Sequence, residues 1–198
     1  MAQVGQQTNT DLVTAAKFVT NLRALPESAF SSITRVLEFL RANPIAPESL
    51  EPFLFWDRGH YTRNLIDHTD VYDLIAVCWE VGQGSSIHNH KDQNCWMSVP
   101  IGRLTVQNYH VVHQDLASQT CELIPTDKIE MNTSNPVAVD PQNPVHSVYN
   151  EREWNERAVS VHLYSRPFDS CVVYSAEQKT CGEIKLCYTS QYGIPTRR

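Results

Sequence analysis

His88 and His90 stand two residues apart in the run Gly82-Gln-Gly84-Ser-Ser-Ile-His88-Asn-His90. On a β-strand that spacing turns both imidazoles to one face, where they can share a metal ion. Gly82 and Gly84 allow a tight, closely approaching turn into such a strand. A lone His-x-His is more often a surface or satisfied core pair than a metal site. The weight therefore falls on what surrounds it. Five residues separate Gly82 from His88, four separate His90 from Cys95, and six separate Cys95 from Gly102.

That spacing resembles the first metal-binding motif of the cupin superfamily, whose members fold as small double-sheet β-barrels. The usual cupin has Glu as its next ligand where this chain has Cys95. The segment Pro141-Gln-Asn143-Pro-Val-His146-Ser-Val-Tyr-Asn150 resembles the second motif, Pro-x-Gly-x-x-His-x-x-x-Asn. Asn143 takes the place of the Gly, and Asn visits the left-handed region more readily than most residues. With both half-motifs in spacing, the resemblance makes His146 the expected third ligand. Cys in place of Glu removes one negative charge from the set. A three-His ferrous site keeps its full dipositive charge and welcomes an anionic ligand such as a thiolate. Three His also suit zinc, so the ligands alone do not choose the metal.

The chain further resembles the thiol dioxygenases of the cupin superfamily, and closely the cysteine dioxygenase family, from about Tyr61 to Tyr192. The residues that carry this are Tyr61-Thr-Arg63-Asn-Leu, Gly84-Ser-Ser-Ile-His88-Asn-His90, Cys95, Pro144-Val-His146 and Ala158-Val-Ser160-Val-His162-Leu-Tyr164-Ser165-x-Pro167-Phe168-Asp169-x-Cys171. The resemblance implies Fe(2+) and conversion of free L-cysteine to cysteine sulfinic acid with both atoms of dioxygen. It implies that His88, His90 and His146 hold the iron, and that Arg63, with Tyr61 beside it, holds the substrate carboxylate. It makes Ser160, His162 and Tyr164 a hydrogen-bonded relay, and Cys95 and Tyr164 a thioether cross-linked pair. A guanidinium suits a carboxylate because it pairs in bidentate fashion. Relatives act on other thiols, such as 3-mercaptopropionate or cysteamine, and a zinc-bearing or catalytically silent cupin that binds a ligand is a further alternative. Arg63 and Cys95 together point to free cysteine. The family often has Ser-Pro-Pro-Phe where this chain has Ser165-Arg166-Pro167-Phe168, and a cis bond before Arg166 costs about 3 kcal/mol.

The elements that must position these groups read as a helical preface and a β-barrel. Leu12, Ala15, Phe18, Val19 and Leu22 recur at helical spacing over Asp11 to Arg23, with Thr10 or Asp11 as cap. A second helix is expected from about Ser31, burying Ile33, Val36, Leu37 and Leu40, and a short third near Pro47. Short strands follow: 61–66, 72–79, 95–99, 103–108, 109–112, 137–139, 145–149, 158–164, 171–174 and 181–188. Gly102 falls at a hairpin turn. The fold class is mainly β, a cupin-type double-sheet barrel. It is expected as one domain over residues 1–198, with residues 1–55 helical and 58–192 forming the barrel. Residues 1–9 read as a disordered tail, and residues 113–135 receive no role.

Composition sets the outer limits. With 16 basic against 22 acidic residues in 198 and no basic run, the chain is a poor fit for nucleic acid or an anionic membrane. No apolar run approaches a membrane span, and the first residues lack a signal-peptide core. Six cysteines without C-x-x-C pairs suit reduced thiols. The expectation is a cytoplasmic monomer whose partners are a small thiol and dioxygen.

Overall fold

A computed structural model describes residues 11–133, 135–142 and 144–196. The expected tail over 1–9, Thr10 as a cap and the left-handed Asn143 lie outside the described residues.

The helical preface begins with α1 (Ala15–Arg23), which buries Ala15, Phe18 and Leu22. It starts later than the expected Asp11, and Thr14 caps it by accepting from the Lys17 amide at 3.2 Å. The reason is a backbone bridge upstream. The Val13 amide donates to Pro44 O at 2.9 Å and the Ala46 amide donates to Val13 O at 2.8 Å, which holds residue 13 extended. Helix α2 (Ile33–Ala42) is capped by Ser32 and buries Val36 and Leu40. Two 3-10 turns, Glu27–Ser31 and Pro47–Phe53, complete the preface, the second at the expected Pro47.

Thirteen strands follow among the described residues. They are β1 (Thr62–His68), β2 (Asp73–Trp79), β3 (Ile87–His88), β4 (Asn94–Ile101), β5 (Leu104–Asp115), β6 (Thr120–Met131) and β7 (Val137–Ala138). The rest are β8 (Val145–Tyr149), β9 (Ala158–Ser165), β10 (Ser170–Ser175), β11 (Thr180–Lys185), β12 (Ser190–Gln191) and β13 (Ile194–Pro195). Seven form a sheet in the order β13-β12-β1-β2-β9-β4-β7, and six close in the order β10-β11-β6-β5-β8-β3. This is the mainly β, double-sheet barrel with N-terminal helices that the sequence leads one to expect.

The period of two explains why β2 and β9 are buried throughout. Leu74, Ala76 and Cys78, with Val159, Val161 and Leu163, point out and pack under the helices with Phe18, Leu22, Val36 and Leu40. Ile75, Val77 and Trp79, with Ala158 and Tyr164, point into the barrel with Cys95, Met97 and Leu104. Each fully buried Leu, Ile or Phe contributes roughly 1.5–3 kcal/mol. The helices are thus the second cover of a sheet whose inner face is kept for the site.

Further readings of the sequence differ from the structure in the strands. The two strands expected over 103–108 and 109–112 are one strand, β5, which begins at Leu104 and has irregular register at Gln107/Tyr109 and Val111/His113. Its partner β6 occupies much of 113–135 and is mostly exposed, so neither face carries an apolar period to read. The last long strand also stops at Lys185 rather than Tyr188. Gly102 does turn the chain between β4 and β5 at φ 69°, and a Cβ there would meet Arg157 O at 2.5 Å. The Ser165–Arg166 peptide bond is cis. The Arg166 amide donates to Gln93 Oε1 at 2.6 Å, and its guanidinium pairs with Glu27.

Candidate metal centre

Three strands bring the histidines together. β3 lies between β8 and β10, and His88 and His146 are direct cross-strand partners. Cβ atoms of such partners lie about 4.5–5.5 Å apart, which suits two ligands of one ion. β3 is shorter than a His-x-His strand, since it ends at His88. Asn89 carries the chain onward by pairing with Val172: its amide donates to Val172 O at 3.1 Å, and its Oδ1 accepts from the Val172 amide at 3.0 Å. Lys91 and Asp92 then turn it with φ of 49° and 63°. The approach is equally confined, because a Cβ at Gly84 would meet the Tyr149 ring at 2.3 Å.

His90 thereby joins the other two. Ring centroids are 5.1 Å apart for His88–His90, 4.8 Å for His88–His146 and 4.9 Å for His90–His146. One ligand nitrogen from each lies within 4.8 Å of the others. His88 Nδ1 donates to Ser86 O at 2.9 Å, which leaves Nε2 as its ligand atom. Both ring nitrogens of His90 and of His146 are buried without a hydrogen-bond partner. A buried polar atom left so costs about 1–3 kcal/mol, and a cation that takes the lone pairs removes that cost. Burial first, then neighbouring positive groups, pulls His90 and His146 well below the ordinary imidazole value. Burial likewise lowers His88 to about 4, so all three are neutral and able to ligate. The residues present fit a divalent metal ion.

A small pocket opens beside the cluster, lined on its polar side by Tyr61, Arg63, His88, His90 and Tyr164. Phe168, Val173, Ile184 and Leu186 form an apolar wall. Arg63 Nε is buried with no hydrogen-bond partner. Its Cζ lies 5.9 Å from the Tyr164 ring centroid and 5.8 Å from that of Tyr188, with no ion pair among the described residues. Tyr61 stacks on Trp79 at 4.7 Å.

β9 turns Ser160, His162 and Tyr164 to its inner face. Ser160 Oγ lies 2.8 Å from His162 Nε2, and Tyr164 Oη lies 3.0 Å from His162 Nδ1. Burial first and Arg63 second lower His162 to about 3, so it is neutral. Burial first and Cys95 second push the Tyr164 hydroxyl upward, so it keeps its proton. Cys95 is the direct register partner of Tyr164, both buried.

The residues given a ligand, clamp, relay or cross-link role from the sequence lie at or beside one pocket. Three that received no role from the sequence lie there too. Phe168 meets the Tyr164 ring edge-on at 5.1 Å, Tyr188 flanks Arg63, and Trp79 Nε1 donates to Ser160 Oγ at 2.9 Å.

Residues 4–177 match the family model described as Cysteine dioxygenase type I. Cysteine dioxygenase type 1 of Bos taurus is 30% identical over 165 residues, covering 83% of this chain and 78% of that protein. Cysteine dioxygenase type 1 of Danio rerio is 27% identical over 184 residues, covering 92% and 90%. Among solved structures, a cupin superfamily protein of Desulfitobacterium hafniense aligns over 63% of this chain and 92% of its own. Its TM-score is 0.44 at 10% identity, too distant a likeness to build on.

Proposed function

The chain belongs to the cysteine dioxygenase type I family, and on that premise we propose that it oxidises the thiol of free L-cysteine to cysteine sulfinic acid with dioxygen. The thiol takes up both oxygen atoms, so no further reductant is consumed. His88, His90 and His146 hold the ferrous ion. When bound, that ion supplies positions for the thiolate and dioxygen and the electrons that make dioxygen reactive.

The protein groups do the rest. Arg63 takes the substrate carboxylate in a bidentate, charge-assisted pair, which fixes how the thiol is presented. The wall of Phe168, Val173, Ile184 and Leu186 keeps water from the reacting sulfur. Tyr164 donates a hydrogen bond into the pocket where charge develops on oxygen, and His162 and Ser160 hold it there. The Cys95–Tyr164 thioether fixes the ring. No disulfide joins any of the six cysteines, which suits a reducing compartment, and the protein is read as a cytoplasmic monomer acting on a small molecule.

The observation that carries this reading is Arg63: a guanidinium with its Nε buried and without a partner, in the pocket that His88 and His90 line. The test is anaerobic loading with ferrous iron, then L-cysteine and isotopically labelled dioxygen. Cysteine sulfinic acid carrying two labelled oxygens is expected. Equal or faster turnover of cysteamine, or turnover of 3-mercaptopropionate alone, would remove free cysteine as the substrate.

A further inference from the structure

The relay on β9 does not end at Ser160. Trp79 lies on β2, two residues beyond Val77, the register partner of Ser160. Its indole is buried in the barrel and its Nε1 lies 2.9 Å from Ser160 Oγ. The full chain of contacts is Trp79 Nε1, Ser160 Oγ, His162 Nε2, His162 Nδ1 and Tyr164 Oη, at 2.9, 2.8 and 3.0 Å.

An indole N–H can only donate, a hydroxyl has one proton to give, and a neutral imidazole donates from one nitrogen and accepts at the other. Trp79 therefore makes Ser160 Oγ an acceptor. Among the described residues, Ser160 Oγ has only one other side-chain partner, His162 Nε2. The buried hydroxyl proton is satisfied only if it goes to that nitrogen. Nε2 then accepts, and the imidazole carries its proton on Nδ1. Nδ1–H in turn donates to Tyr164 Oη. The Tyr164 proton is not consumed by His162 and is left to point into the pocket. In the reverse arrangement Ser160 accepts twice and its own proton has no partner, which is costly for a buried group.

We propose that Trp79 is a positioning residue that sets the direction of this relay: its N–H fixes His162 as the Nδ1-protonated tautomer, so that Tyr164 faces the pocket as a donor. This rests on the reading that Tyr164 serves the reacting atoms, and it adds the group that orients it. Trp79→Phe keeps the ring and its stacking on Tyr61 but leaves Ser160 free to face either way.

The test reads the tautomer directly, on the full metal-free chain labelled with 15N-histidine. Long-range proton–nitrogen correlation distinguishes the two neutral forms, and loss of one signal set in His162→Gln assigns the residue. The unchanged chain should carry the His162 proton on Nδ1, a measurement that needs no Trp79 variant to fold. In Trp79→Phe the proton should divide between the nitrogens or move to Nε2. A proton on Nε2 in the unchanged chain, or an unaltered Nδ1 form in Trp79→Phe, overturns the proposal. These signals do not depend on turnover, so they stand or fall apart from the substrate assignment. In the iron-loaded enzyme, Trp79→Phe should lower kcat by about tenfold, a fraction of what a proton-transfer group contributes, with KM for cysteine little changed. A raised KM at unchanged kcat would instead place Trp79 in the pocket wall through Tyr61, and would also overturn it.

Discussion

His146 and His162 are both buried imidazoles on inward-facing strands of one barrel, and burial keeps both neutral. Their surroundings are opposite. Neither nitrogen of His146 has a hydrogen-bond partner, while His162 has one at each nitrogen, at 2.8 and 3.0 Å. The difference separates two uses of the same side chain. Nitrogens without partners, converging with those of His88 and His90, are lone pairs kept for a cation. Nitrogens with a partner on each side hold and orient a proton. Burial and pKa do not tell the two apart; the count of partners does.

The largest expected effect lies on the side without partners. His146→Ala should strip most of the iron and lower turnover by more than about a thousandfold, the scale of losing an essential group. The fold should persist, because the ring's neighbours are the other histidines rather than hydrogen-bond partners. Metal analysis beside a circular dichroism spectrum measures this. Retained iron and activity would break the contrast at its first term.

Arg63 belongs to that same side, with a buried Nε and no ion pair among the described residues. A charge-assisted bond of this kind is worth roughly 1.5–3 kcal/mol, and a substrate that leaves it unmade is rejected by about a hundredfold or more. L-cysteine should accordingly exceed cysteamine in kcat/KM by about that factor, and Arg63→Ala should narrow the gap by costing cysteine far more. Comparable turnover of the two thiols by the unchanged protein would show that Arg63 does not select the carboxylate.

Much of the unpartnered side was legible in the sequence, because its residues are polar and stand at short, fixed spacings. His88, His90 and Cys95 lie in one run and His146 in a second. The partnered side was legible only in part: Ser160, His162 and Tyr164 share a face by period two, but nothing local marked the group beyond them. Trp79 sits in Asp73–Trp79, a strand whose alternate residues pack against helices and barrel interior, so its apolar run masks a polar duty. Its acceptor lies 81 residues away, set by strand register and not by any local pattern. Phe168 and Tyr188 reach the site from the connections between β9 and β10 and between β11 and β12, where no strand period marks them. Strand β6 escaped for another reason: exposed over most of its length, it carries no period. The start of α1 was misplaced because the Val13–Ile45 bridge is also a long-range event.

The partnered side predicts an acid dependence whose sign follows from burial. His162 titrates at about 3 in the fold against 6.5 when free. Between those values the unfolded chain binds the proton and the folded chain does not, so stability falls as pH falls below 6.5 and the loss continues towards 3. The slope is up to about 1.4 kcal/mol per pH unit for this group. His162→Gln lacks it. Urea unfolding of the metal-free chains at pH 7, 6 and 5 should show the variant's deficit shrinking as pH falls, the other buried histidines being present in both. A deficit constant with pH would mean that His162 does not stay neutral inside the fold.

The smallest effect is expected at Cys95, where the two sides meet. Cys95 ligates nothing in this reading and donates no hydrogen bond to the relay; it is the register partner of Tyr164, buried against it. Burial holds its thiol far above the ordinary value, so Cys95 does not ionise and compete for the metal. Its contribution is positional. A thioether to the Tyr164 ring forms by loss of one hydrogen from sulfur and one from an aromatic carbon, with dioxygen at the loaded site as the oxidant. During turnover with cysteine, part of the population should lose the mass of two hydrogens, and Cys95→Ala should abolish that species. Turnover should then fall only several-fold, since the hydrogen bond to His162 still aims Tyr164. Cys95→Glu should do more harm than Cys95→Ala, because it places a competing carboxylate beside the three imidazoles. If exhaustive turnover left the intact mass unchanged, Cys95 and Tyr164 would be packing neighbours only, and the orientation of Tyr164 would rest on the relay alone.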